Sequence, residues 1–255
     1  MAETLSHDWF IDRTAEEIDR LAYIADGADP ATEVGTCPGW TMSKLVKHTG
    51  TVHRWVTELV SIGGENRIDP RSLDLGLPEK ESDYAGWITD GAEPLVRALR
   101  DAGPDTAVWS WGPKSAHTSA WWARRVLHET TIHRGDAELA NRQTPVIDPA
   151  VAADGIDEFL ANLPAAGGPA KHLAELPEGQ SVHLHATDAD GEWLIRLTES
   201  GFEWERGHGK ATAAVRGRLT LLLLFAYGRI GAGDEALEIF GDQDLLASWQ
   251  EKSAL

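Results

Sequence analysis

Three polar side chains fall where the residue pattern predicts helix interior: His48, Glu129 and His133. Glu129 and His133 are four residues apart, so on a helix they project from one face about one turn apart. His48 recurs at three- and four-residue steps with Leu45, Val52, Trp55 and Leu59 on another helix. An ionised carboxylate buried without a partner is strongly unfavourable. A divalent cation is an efficient partner, and helical bundles build such sites from facing helices. Two imidazoles and one carboxylate form a His2Glu set, which holds catalytic zinc and leaves a fourth position for water or substrate. The ligand types alone admit other divalent metals. Asp136, one turn beyond His133, is placed to orient its ring as an outer acceptor. The competing reading is structural, with core histidines held by hydrogen bonds and Glu129 paired with Arg125 or Arg54.

Neighbouring residues weigh on this set. His128-Glu129 and His133 do not form the H-E-x-x-H pattern, because one residue too many separates the histidines. His128 therefore diverges around the helix from His133. His53 is five residues from His48 and is expected to point elsewhere, toward the surface. Cys37 is the single cysteine, which excludes an internal disulfide framework and a multi-cysteine zinc site. It precedes a helix N-terminus, where a thiolate is favoured, but a structural role is the stronger expectation for a lone cysteine.

The elements that must position these residues are legible from caps and periodicity. A first helix starts at the Thr14-Ala15-Glu16-Glu17 capping box, or earlier at Ser6 or Thr4, and stops at Gly27. Thr41 caps a second helix that ends near Gly63-Gly64. A third spans about 82–102, with Pro94 predicting a kink or split. A fourth runs from about 118 to 139. A long loop near 65–81 reads as a lid or a crossover. From Thr144 the texture changes: a proline- and glycine-punctuated linker contains one weak helix at about 150–162. Val182, Leu184 and Ala186 then alternate with polar neighbours, as do Trp193, Ile195 and Leu197, followed by Phe202 and Trp204. That pattern predicts an antiparallel meander. Residues 213–215 are a candidate further strand, 219–227 a buried helix, and 244–249 a short C-terminal helix. The expected fold class is α+β: a four-helix bundle over residues 1–145 and a smaller α/β domain with an antiparallel sheet over 146–255.

The 255 residues hold 41 Asp+Glu against 23 Lys+Arg, a formal net charge of −18. Such acidity argues against nucleic acid and against an anionic membrane surface as partners. The longest apolar run, 219–227, is too short to span a bilayer, and no secretory leader is visible at the N-terminus. A cytoplasmic protein is expected. Most of the 11 tryptophans lie in the first half; they are expected to pack the core, with Trp122 placed to line an apolar pocket beside Glu129.

Two segments carry a family resemblance. Cys37-Pro38-Gly39-Trp40-Thr41 leading into Leu45-Val46-Lys47-His48, and Trp122 through Glu129 continuing to His133-Arg134-Gly135-Asp136, resemble the metal-ligand helices of the DinB-like, mycothiol-dependent maleylpyruvate isomerase family. The C-terminal half is similar to that family's sterol-carrier-like α/β domain, with Gly217-Arg218-Leu219 through Tyr227-Gly228-Arg229 at its helix. The resemblance implies a divalent metal, usually zinc, on His48, Glu129 and His133. It also implies mycothiol as a small-thiol cosubstrate, a small electrophilic second substrate, and a catalytic role for Arg229 in holding an anionic group. Arg229 equally suits a helix C-terminus, where a cation favours the dipole. The implied reaction is thiol addition to an electrophile, giving cis–trans isomerisation if the thiol leaves or S-transfer if it stays. The net charge disfavours a dicarboxylate such as maleylpyruvate as the electrophile. A non-catalytic, metal-stabilised binding or regulatory module is the alternative.

Overall fold

A computed structural model describes residues 5–254, so Thr4 lies outside the described residues. The chain divides into two compact units, 1–145 and 146–255. The first is helical: α1 (His7–Asp26), α2 (Met42–Ile62), α3 (Tyr84–Asp90), α4 (Ala92–Ala102) and α5 (Ser119–Ala140). The hydroxyls of Ser6, Thr41 and Thr118 accept backbone N–H groups at the starts of α1, α2 and α5, satisfying donors the helix cannot. Ser6 rather than Thr14 is thus the observed cap of α1, and Thr14 sits buried inside it.

The expected third helix is split, but at Gly91 rather than at Pro94. Pro94 falls in the first turn of α4, where a missing N–H is tolerated. Gly91 is where Arg54 passes: a Cβ there would lie 2.6 Å from Arg54 Nη1. Arg54 lies over the Trp87 ring at 3.9 Å and donates to the Trp87 carbonyl at 2.6 Å. It therefore serves α3, and the expected alternative of an Arg54–Glu129 pair is replaced by this arrangement.

The face of α2 also differs from expectation. Leu45 and Leu59 are buried, but the buried stripe runs through Val46, Thr49, Gly50, His53 and Val56. His48, Val52 and Trp55 lie at its margin. The expected surface position of His53 is overturned, since its side chain is fully buried. Small residues explain the rotation. At Gly50 a Cβ would come within 2.2 Å of Trp87, so this face admits a close neighbour that Val52 and Trp55 would hold off. Helix α5 is buried almost all round, as befits a central helix, and packs most extensively on α1. Arg134, fully buried on α5, bonds Glu17 of α1 and Glu138 of its own helix. The long loop is tied to the helices by two indoles: Trp55 Nε1 donates to Ile68 O at 2.8 Å, and Trp87 Nε1 to Leu75 O at 2.9 Å.

The second unit contains α6 (Pro149–Asn162), α7 (Gly167–Leu173), β1 (Ser181–Ala186), β2 (Glu192–Thr198), β3 (Gly201–Arg206), β4 (Ala213–Gly217), α8 (Leu219–Ala226), β5 (Glu238–Gly241) and α9 (Gln243–Ser253). The sheet order is β3-β2-β1-β4-β5. The meander β1-β2-β3 is antiparallel, as the alternation predicts. The sheet as a whole is mixed, because β4 pairs with β1 in parallel. Residues 207–212 make that pairing by crossing from the β3 edge to the far side of β1. Val182, Leu184, Trp193, Ile195 and Leu197 are buried on one face, and apolar α8 packs on β1 and β4. Strand β5 and helix α7 go beyond the sequence expectation. The first is a four-residue edge strand, and the second begins inside the Gly167-Gly168-Pro169 stretch that reads as linker.

Candidate metal centre

The turn before α2 sets up the site. Val34 N donates to Trp40 O at 3.0 Å, and Trp40 N to Cys37 O at 2.9 Å. Gly39 adopts φ +80°, a left-handed conformation that favours glycine. The turn lays Trp40 against both histidines: its ring is stacked on His133 at 5.7 Å and tilted against His48 at 4.9 Å.

The structure brings His48 and the α5 pair together. His48 Nε2 lies 2.9 Å from Glu129 Oε1, and His133 Nε2 lies 3.3 Å from the same oxygen. One ligand atom from each residue falls within 4.8 Å of the others. The second oxygen of Glu129 is occupied by Arg125 Nη2 at 2.7 Å. His133 Nδ1 faces Asp136 Oδ2 at 3.0 Å, and the Cys37 thiol donates to that oxygen at 3.3 Å. Asp136 is fully buried and Cys37 nearly so, whereas the His48 side chain is 38% exposed. The site thus has a buried base and an edge open to solvent.

Electrostatics follow from this packing. Burial acts to raise the Glu129 carboxyl, but hydrogen bonds from His133 and His48 and the Arg125 charge outweigh it and hold the group well below the usual carboxylate range. Burial acts to lower His133, but its bonds to Asp136, Cys37 and Glu129 prevail and raise it well above the ordinary imidazole value. His53 lies apart. Its Nε2 meets Thr130 Oγ1 at 2.8 Å, and the Thr130 hydroxyl donates to Val126 O. Burial, the dominant influence, lowers His53 to about 3 and keeps it neutral.

The donor set suits a divalent ion. Asp136 holds a proton on His133 Nδ1, which directs Nε2 toward Glu129 and makes it the nitrogen that would ligate once an ion displaces its proton. Arg125 holds one Glu129 oxygen and leaves the other facing both imidazoles. Among the other candidates, His128 is buried and its ring lies edge-on to Phe10, 6.4 Å away. Trp122 is buried in an aromatic cluster with Trp55 and Trp121 and donates to Trp109 O at 2.6 Å. The aromatic ring against the imidazoles is therefore Trp40, which sequence reasoning does not single out as a site residue. Its position just ahead of the Thr41 cap is the available signal. Arg229 follows α8, is half-buried, and donates from Nη1 to Tyr227 O at 2.9 Å.

A helical first domain with a mixed-sheet α/β second domain is the class that this architecture defines. Residues 11–138 match the family model for the mycothiol maleylpyruvate isomerase N-terminal domain, and residues 150–248 match the corresponding C-terminal domain model. The chain belongs to the mycothiol-dependent maleylpyruvate isomerase family. A crystal structure of the mycothiol-dependent maleylpyruvate isomerase superposes with a TM-score of 0.61 at 14% identity, over 92% of this chain and 93% of that one. A histidine-to-alanine mutant of that enzyme superposes with a TM-score of 0.60 at 14% identity over the same shares. These likenesses are of fold. No relative is found among curated proteins.

Proposed function

We propose that this protein is a metal- and mycothiol-dependent enzyme that activates a small thiol for addition to an electrophile. The single observation that carries the reading is the meeting of two Nε2 atoms and one carboxylate oxygen, from helices far apart in sequence, around a common point. Family membership supports mycothiol as the thiol, and the relative whose crystal structure superposes is itself a mycothiol-dependent isomerase.

In this reading His48, Glu129 and His133 hold a divalent ion, and two imidazoles with one carboxylate are a set that suits zinc. The bound ion supplies the positive charge that lowers a thiol pKa and favours thiolate. The chain's own groups do the rest. Asp136 holds the proton on His133 Nδ1 and fixes its ring. Arg125 anchors Glu129 and keeps it ionised. Trp40 packs against both imidazoles and helps to hold their rings in place. Arg229 holds an anionic group of the electrophile through charge-assisted hydrogen bonds. Addition to a conjugated double bond, rotation and departure of the thiol give isomerisation; retention of the thiol gives transfer.

The test is titration of the cobalt-loaded protein with mycothiol. A thiolate-to-cobalt charge-transfer band in the wild type and none in His48→Ala or His133→Ala is expected. Absence of the band with mycothiol and with other small thiols overturns the reading. Product mass then separates isomerisation from transfer.

A further inference from the structure

The second unit holds a separate group of ligating side chains that the proposed thiol chemistry does not use. His183 and His185 are two apart on β1, so both point to one face of the sheet. Glu192 on β2 is the direct cross-strand partner of His185, and Leu194 is that of His183, so these share the same face. This face lies opposite the one formed by Val182, Leu184, Trp193 and Ile195. His208 comes from the 207–212 crossover. That segment runs flat across the strands: Gly207 N donates to Glu192 O at 3.0 Å, and Thr212 exchanges hydrogen bonds with Ser181. Gly209 rests so closely on the sheet that a Cβ there would lie 2.5 Å from Leu194 Cδ2.

The crossover thereby delivers His208 onto the strand ligands. Three ring nitrogens converge on one oxygen, Glu192 Oε2: His208 Nδ1 at 2.7 Å, His183 Nε2 at 3.1 Å and His185 Nδ1 at 3.5 Å. One ligand atom from each of the four residues lies within 4.8 Å of the other three. A carboxylate oxygen has about two lone-pair directions, and the hydrogen bonds with His208 and His183 take both, so His185 Nδ1 faces this oxygen with no lone pair left to meet. A cation among the four groups takes one lone pair from each of them, including the one on His185. Tetrahedral zinc, with bonds of about 2.0–2.2 Å to nitrogen and oxygen, sets ligand atoms roughly 3.3 Å apart, and the three observed separations bracket that spacing. Imidazole donors favour zinc and its transition-metal neighbours over calcium or magnesium.

We infer that His183, His185, Glu192 and His208 form a second metal site, selective for zinc-like divalent ions, that fastens the crossover to the sheet. All four positions are filled by protein, as in structural zinc sites. The ion therefore holds two strands and the crossing segment together without needing a substrate position. Access is direct, because the His208 side chain is 76% exposed while His183 is buried at the base.

Zinc titration of the chelator-stripped full chain tests this, with uptake read by elemental analysis and by calorimetry. Two equivalents per chain are expected for wild type and one for His185→Ala/His208→Ala. His48→Ala/His133→Ala should keep the equivalent assigned to the sheet. His208→Ala alone removes only an exposed side chain and should weaken that equivalent by at least about tenfold, on the scale of lost metal-site contacts. A His185→Ala/His208→Ala isotherm identical to wild type overturns the site. So does the loss of all zinc uptake in His48→Ala/His133→Ala.

Discussion

At the scale of single residues, the proton on His133 is the quantity that governs the proposed centre. Its imidazole is held charged by Asp136, Cys37 and Glu129 against the pull of burial. In the metal-free protein this raised value contributes stability that is fully present below the unfolded value of about 6.5 and is lost as pH rises through the raised value. Metal affinity runs the other way, since the ion must displace that proton from Nε2. Metal binding is expected to strengthen by about tenfold per pH unit until His133 is deprotonated, with one proton released per ion. Calorimetry in buffers of differing ionisation enthalpy measures that proton. Asp136→Asn removes the charge behind His133 and should weaken metal binding by about 10–100-fold, the range for such outer partners. His53 gives the opposite dependence. Its folded value is lowered to about 3, so between about pH 6.5 and 3 only the unfolded chain takes up the proton. From this group stability should fall as pH falls through that window. His53→Leu leaves Thr130 bonded to Val126 O and should flatten that part of the acid denaturation curve.

At the scale of elements, α1 and α5 are locked by a buried charge cluster. Arg134 is fully buried between Glu17 and Glu138, and Arg20 lies 3.2 Å from Glu17 and 3.5 Å from Glu138 at the rim. Arg134→Met leaves two carboxylates facing each other with only the rim arginine, and should cost about 3–5 kcal/mol in chemical denaturation. Replacing Glu17 and Glu138 by glutamine in the same chain should recover a large part of it. This lock is not legible in the sequence, because Arg134 and Glu17 are distant along the chain and look like ordinary solvated charges. What is legible is local. Thr41 and Thr118 cap the helices that their positions predict, and the four-residue step from Glu129 to His133 survives unchanged. The β1-β2-β3 meander follows from alternation. What periodicity misses depends on partners. Gly50 and Thr49 look like poor core residues until Trp87 is placed, so the buried face of α2 is misjudged and His53 with it. Strand β5 is only four residues long and exists because β4 offers an edge. The histidines of β1 read as polar positions of an alternating strand, and only the crossover reveals that His208 joins them. His48 itself is identifiable because it stands two helical turns from the Thr41 cap within a recognisable turn-and-helix segment, not because periodicity reads its face correctly.

At the scale of the whole molecule, the dominant fact is the charge of −18. No helix among the described residues is long and apolar enough to cross a membrane. A field of that sign draws divalent cations toward both histidine-containing clusters and repels anionic substrates before any contact forms. The two effects respond differently to salt. With a Debye length near 30 Å at 0.01 M and about 8 Å at 0.15 M, repulsion of a freely diffusing dianion is mostly screened over that range. For a dicarboxylate electrophile, kcat/KM should therefore rise several-fold as sodium chloride is raised across it, while an uncharged electrophile of similar size should show little change. The charge-assisted bond proposed for Arg229 is short-range and resists screening, so Arg229→Met should lower kcat/KM for the dicarboxylate at every salt concentration without altering the slope. Equal salt dependence for charged and uncharged electrophiles would show that the acidity is distributed away from the approach to the site. The field of the chain then no longer disfavours a dicarboxylate electrophile, and the contact proposed for Arg229 becomes the determinant that the Arg229→Met comparison tests.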